Sequence, residues 1–323
     1  MRLSRFSVFV WGVVAFNLGV IVWGAYVRAS LSGDGCGSSW PLCNGEVVPL
    51  GAGAKTLVEF THRATSGVAL LLVVALVAWA LRALPKRHPA RAGAVMSLVF
   101  IVVEALIGAL LVRYQFVAGN PSASRAVWMA VHLVNTFLLL ASLALTAWWA
   151  SGGTAVRLRR QGTLGLVVYS ALAGTLVLAV SGAVAALGDT LFPAGSLAEG
   201  LRQDLSPAAH ALVRLRLLHP LLALVVGGLV LFAASYANRV RAGLWVGRLS
   251  GAAAALVLLQ LLVGAFNVAL LAPVGLQLTH LLLADLMWIA LVLLGAAALS
   301  HEAHAAAAPG FEPSGVPSAA GSS

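Results

Sequence analysis

Residues 6–28 read FSVFVWGVVAFNLGVIVWGAYVR, an apolar run with no acid and one base, Arg28, at its end. Roughly 20 consecutive apolar residues are needed to cross a bilayer as a helix. The run is too long for the apolar region of a secretory signal and no A-x-A site follows it, so it reads as a retained span. The same pattern recurs along the chain at approximately 58–83, 93–116, 125–149, 163–187, 212–236, 249–271 and 276–299. The 323 residues are 61% hydrophobic and only 9% charged, where a soluble domain carries about 25% charged residues. The expected fold class is an all-α polytopic membrane protein of eight transmembrane helices.

The formal charge of +10 does not indicate nucleic-acid binding, because Lys and Arg sit between the apolar runs, where they set topology. One set of connections holds Arg2 and Arg5, then Arg82, Lys86, Arg87 and Arg91, then Arg157, Arg159 and Arg160, then Arg239, Arg241 and Arg248. The other set holds Asp34, Glu46, Glu59, Asp189, Glu199 and Asp204. The positive-inside rule places both termini in the cytoplasm. Arg28, Lys55, Arg113, Arg125, Arg202, Arg214 and Arg216 near the outer ends blur that asymmetry. Residues 301–323, rich in Ala, Gly, Ser and Pro, read as a disordered cytoplasmic tail.

The chain repeats itself. Glu104-Ala-Leu-Ile-Gly108 in span three matches Gln260-Leu-Leu-Val-Gly264 in span seven, at an offset of 156. His62 and His219 differ by 157, Gly24 and Gly182 by 158, and His132 and His280 by 148, the last connection being shorter. Two pseudo-symmetric four-helix bundles are therefore expected, residues 1–150 and 151–300. Each has an even number of spans, so the repeats run parallel and are not inverted.

Spans two, four, six and eight all run from outside to inside. His62, His132, His219 and His280 then lie at one depth, in the outer half of the membrane. Two imidazoles on neighbouring helices can ligate one haem iron from opposite faces, which gives one candidate site per half. A single intramembrane His is often only an interhelical hydrogen-bonding residue; four in repeat register favour ligation. Zinc lacks a Cys or carboxylate cluster at this depth to complete a tetrahedral set. His88, His301 and His304 read as solvated. His210 reads as sitting at the outer end of span six, not as an iron ligand.

Glu59 stands one turn before His62 and could accept a proton or orient a ligand; it could equally be a carboxylate favoured by the helix N-terminus. Arg216 occupies the matching place in the second half. Glu104 and Asp285, deep in spans three and eight, should be paired or neutral. Arg63 and Arg113 could pair with haem propionates or with acids. The two cysteines, Cys36 and Cys43, share the first outer loop. An outer compartment allows a disulfide to persist, either as a structural clip or as a redox-active pair.

Glu59-Phe-Thr-His62-Arg63, the Cys36–Cys43 pair flanked by Asp34-Gly35 and Trp40-Pro41, Glu104-Ala-Leu-Ile-Gly108, Gln260-Leu-Leu-Val-Gly264-Ala-Phe-Asn267 and Gln277-Leu-Thr-His280-Leu together resemble the haem A synthase family. The resemblance runs to about residue 299. It implies an oxidoreductase that converts the C8 methyl of haem O to a formyl group, giving haem A for cytochrome oxidase. It implies that His62 and His132 hold the substrate haem O, that His219 and His280 ligate a resident haem b, that Glu59 is the essential carboxylate, and that the cysteine pair is the family's loop disulfide. The implied setting is the cell membrane, with lipid, haem O synthase and the oxidase assembly machinery as partners and a homo-oligomer also allowed. Two other classes compete: a di-haem b-type quinol oxidoreductase, built from the same His pairs with no special carboxylate at one site, and a transporter, which leaves the histidines unexplained. Haem O synthase itself does not fit, since its Asp-rich diphosphate-binding motifs are missing.

Overall fold

A computed structural model describes residues 4–157 and 159–300; the tail expected to be disordered lies outside the described residues. Ten helices follow one another: α1 (Arg5–Ala29), α2 (Ala54–Ala83), α3 (Pro89–Arg113), α4 (Ala123–Ala150), α5 (Gly162–Leu191), α6 (Leu197–Leu205), α7 (Ala211–Leu215), α8 (Leu218–Val240), α9 (Leu244–Ala269) and α10 (Val274–Ala298). Eight segments are long and apolar enough to cross a membrane, with α7 and α8 forming one segment, Ala211–Val240. The protein is an all-helical, multi-pass membrane protein. A spanning chain must satisfy its backbone polar groups internally, and helices do so residue by residue.

The helix starts follow local chemistry. The Ser4 and Ser122 hydroxyls accept from the Ser7 and Arg125 amides, satisfying donors that have no partner inside the helix. His88 caps α3, with Pro89 in its first turn. The sixth span is interrupted at Arg216–Leu217. Pro220 cannot donate to the Arg216 carbonyl four residues back; the His219 amide takes that carbonyl instead, at 3.2 Å. The amphipathic α6 was not foreseen from hydropathy, being too short and too polar to read as a span.

Helices α1, α2, α3 and α4 pack in sequence around one another, and so do α5, α8, α9 and α10. The halves meet through α4 with α10, α4 with α5, and α1 with α10. Helices α4 and α10 each contact both groups. At their crossing the Phe137 and Trp288 rings stack at 5.3 Å, and the Trp288 indole N–H donates to the Phe137 carbonyl at 2.7 Å. Apolar side chains such as Leu71, Leu224, Val225, Leu258 and Phe266 are exposed, as expected of surfaces facing lipid tails.

Three of the arginines that blur the charge asymmetry, Arg28, Arg125 and Arg216, are engaged within the protein. Arg28 donates to the Ala186 carbonyl and Thr190 hydroxyl on α5 and to the Gln277 side chain on α10, at 2.7–2.9 Å. It thereby ties α1 to the other half. Arg125 donates to the Ala118 and Asn120 carbonyls and closes the α3–α4 connection. Asp285 is fully buried, and neither carboxylate oxygen has a hydrogen-bond partner.

Replacing Trp288 removes both the stack and the indole bond where the halves meet. Trp288→Ala is expected to cost about 3 kcal/mol or more, read as a lowered unfolding midpoint in detergent. An unchanged midpoint would mean that this contact does not hold the halves together.

Candidate functional site

Four histidines lie in the second or third turn of their spans, at the end of the bundle that carries the cysteine loop. Three of them rest on a glycine of the preceding span. A Cβ at Gly24 would lie 2.8 Å from the His62 ring, and a Cβ at Gly182 or Gly264 would lie 3.0 Å from the rings of His219 or His280. Small residues let helices approach closely, and here the space serves an imidazole. The sequence offsets that pair Gly24 with Gly182 thus carry a physical meaning. Gly108 breaks the pattern: it matches Gly264, yet nothing lies within 4 Å of a Cβ placed there.

His219 and His280 face each other with ring centres 6.2 Å apart and planes at 87°. An imidazole–metal bond is roughly 2 Å, as in zinc sites. Two such bonds, plus the distance from each nitrogen to its ring centre, span about this separation. The Ser181 hydroxyl lies 3.0 Å from Nδ1 of His219, which leaves Nε2 for a ligand. In the first half His62 and His132 are electrostatic neighbours. Nδ1 of His62, His132 and His280 is buried without a hydrogen-bond partner, and buried polar atoms are seldom left so. Among the described residues no three His, Cys, Asp or Glu side chains gather as a metal cluster. Each pair offers two imidazoles, the donor set that suits haem iron.

The cysteines form a disulfide with a Cα–Cα distance of 4.4 Å. The loop around them is exposed, with Val47 at 77% and Leu50 at 88%, but Cys36 and Cys43 themselves are 0% and 1% exposed. The loop is pinned to the start of α2. The Cys36 amide donates to Glu59 Oε2 at 2.8 Å, and Arg63 donates to Glu59 Oε1 at 2.5 Å. Arg63 also donates to the Ser39 and Leu42 carbonyls, at 2.6 and 2.7 Å. Gly35 lies so close to the backbone of Lys55 and Thr56 that a Cβ would sit 2.6 Å from it. Both Glu59 oxygens are therefore occupied by the loop clamp.

Arg216, at the place matching Glu59, clamps the segment between α5 and α8. It donates to Asp189 at 3.1 Å and to Asp204 at 2.6 Å, and so holds α6 against the bundle. Sequence spacing marked Glu59 and Arg216 as a difference between the halves; in the structure both anchor a loop. The carboxylate that touches a histidine is Glu104, whose Oε1 is 3.4 Å from His132 Nδ1. His210 caps α7, accepting from the Leu212 amide, and stacks on Phe192 at 5.1 Å. Arg113 lines an open cleft of about 780 Å³ between α3 and the disulfide loop.

A family model described as "Cytochrome oxidase assembly protein" (COX15-CtaA) matches residues 7–292. A Thermus thermophilus protein named protoheme IX farnesyltransferase is 53% identical over 300 residues, 93% of this chain and 49% of that protein. Proteins named heme A synthase from Exiguobacterium sibiricum and Halalkalibacterium halodurans are 33% and 35% identical, over 45% and 39% of this chain and 45% and 41% of their own lengths. The chain thus spans about half the length, or less, of the curated relatives it matches.

The clamp makes a prediction. Arg63→Ala leaves Glu59 buried with one partner gone, a change that typically costs about 3–5 kcal/mol. Hydrogen exchange at the Cys36 amide and proteolysis within residues 34–46 should both accelerate, while the second half keeps its protection. Unchanged exchange at Cys36 would show that Arg63 does not hold the loop.

Proposed function

The chain belongs to the cytochrome oxidase assembly protein family, COX15-CtaA, and from that premise we propose that it is a haem A synthase: a plasma-membrane oxidoreductase that oxidises the C8 methyl group of haem O to a formyl group, giving haem A for cytochrome oxidase. The carrying observation is the pair of histidine sites at one level of the bundle, with the His219–His280 separation fitting one metal between two rings. The relatives named heme A synthase support the activity. The Thermus relative bears the name of a farnesyltransferase, but half of it lies outside the match. The four aspartates here, Asp34, Asp189, Asp204 and Asp285, are well separated along the chain and form no Asp-rich sequence motif for a diphosphate. We assign the transferase to the unmatched half, and take its presence there to support a haem O synthase working beside this chain.

In this reading residues 1–150 form the substrate half and residues 151–300 the resident half. His62 and His132 would hold the substrate haem O, and His219 and His280 would hold haem b, which when bound supplies one-electron transfer. Gly24, Gly182 and Gly264 give three of the rings their seats, and Ser181 fixes the orientation of His219. Turning a methyl into a formyl group withdraws electrons and protons from carbon and adds oxygen, so the macrocycle must be held still and water admitted sparingly. The apolar spans restrict water, and the clamped loop covers the outer end of the first half. The buried disulfide suits a structural clip. Glu59 is the carboxylate that the family resemblance puts to work; to take a proton it must first give up Arg63 or the Cys36 amide. The disulfide and the charge asymmetry support placing the histidine end outside and both termini in the cytoplasm.

A di-haem electron carrier would use the same imidazole pairs. Haem extraction from the purified protein and separation of haems b, O and A tests the two readings. His219→Ala or His280→Ala should remove the resident haem b. His62→Ala or His132→Ala should keep haem b and abolish conversion of added haem O. Glu59→Gln should keep haem b and lower conversion to background. Haem O untouched by the wild-type protein, with both sites filled, would sink the synthase and favour the carrier.

A further inference from the structure

The halves differ at the residue that faces the histidine of α4 or α10. Glu104 on α3 and Gln260 on α9 hold equivalent places. Glu104 reaches across to α4: Asn135 donates to Oε2 at 2.5 Å, the Thr136 hydroxyl donates to Oε1, and Oε1 stands 3.4 Å from His132 Nδ1. Gln260 reaches across to α10 with a different result. Its amide donates to the His280 backbone carbonyl at 3.0 Å, leaving His280 Nδ1 and its own Oε1 buried without partners. In the register that pairs His132 with His280, Asn135 and Thr136 become Leu283 and Ala284. The cradle of Glu104, Asn135 and Thr136 belongs to the first half alone.

The glycine seats point the same way. His280 rests on Gly264, but Gly108, the matching glycine, has nothing within 4 Å of its Cβ position. His132 is therefore held from the carboxylate side. Helix packing does not call for an acid here, since Gln260 links α9 to α10 as an amide. An ionisable side chain within a membrane is costly and marks function by default.

We propose that Glu104 is a positioning residue for the first-half haem: it accepts a hydrogen bond from the Nδ1–H of His132, leaves Nε2 as the free iron ligand, and makes that ligand a stronger electron donor than His219 or His280. The 3.4 Å separation is longer than a formed N–H···O bond, and Nδ1 has no competing partner, so a small ring rotation closes it. Carboxylate partners of metal-bound histidines fix the tautomer and raise ligand basicity, and hydrogen bonding to axial ligands is one of the levers on haem potential. His219 has a neutral hydroxyl in that role, and His280 has no partner. The inference rests on the proposed haem sites.

The test loads purified wild-type protein and Glu104→Gln with haem b and then, without oxygen, with haem O, and follows redox titration, ferric low-spin resonance and haem affinity. His132→Ala and His280→Ala identify which signal belongs to which half. In Glu104→Gln the first-half potential should move positive, its resonance should shift, and affinity at that site should fall about 10-fold or more, with second-half signals unmoved. Glu104→Asp, which keeps the charge on a shorter arm, should fall between the two. Should Glu104→Gln lose both haems, Thr136→Val carries the same test, because it removes one holder of the carboxylate and leaves the charge. Unchanged potential, resonance and affinity at the first site would overturn the role of Glu104. A wild-type protein with no haem signal sensitive to His132→Ala would overturn the haem-site reading itself, and this inference with it.

Discussion

Hydrocarbon offers no hydrogen bonds, so every polar group carried into the membrane must find its partner within the protein or serve a ligand. The backbone meets this demand by running as helices. The outer-end arginines meet it by donating to carbonyls and carboxylates that also stitch connections and halves together, as Arg28, Arg125 and Arg216 do. The histidines meet it only in part. Nδ1 of His62 and of His280 is buried without a hydrogen-bond partner.

Close helix contact is the second condition. An imidazole between two spans needs room that larger residues would deny it, and Gly24, Gly182 and Gly264 provide it at repeat-related places. The α4–α10 crossing, with Phe137 against Trp288, brings the two histidine-bearing inner helices into one rigid centre.

The connections at the histidine end show how one architecture serves two different halves. Glu59 with Arg63 holds the disulfide loop over the first bundle, and Arg216 with Asp189 and Asp204 holds α6 over the second. The charges are opposite and the work is the same. What distinguishes the halves chemically lies deeper, at Glu104 against Gln260, where a carboxylate meets one histidine and an amide bonds the backbone of the other.

Hydropathy and residue spacing are properties of the chain itself, and they suffice for the eight spans. A helix rises by a fixed amount per residue, so position along the chain becomes depth without any knowledge of neighbours. The interruption before His219 was also within reach, through Pro220. Partner choice is another matter. Glu59 lies one turn from His62 on α2, yet its oxygens go to Cys36 and Arg63; Glu104 lies on a different helix from His132 and still meets its ring. Such contacts depend on how helices distant in sequence are rotated against each other, to within an ångström or so. Only the packed tertiary structure decides that, because a hydrogen bond is short-ranged and directional while hydropathy is neither.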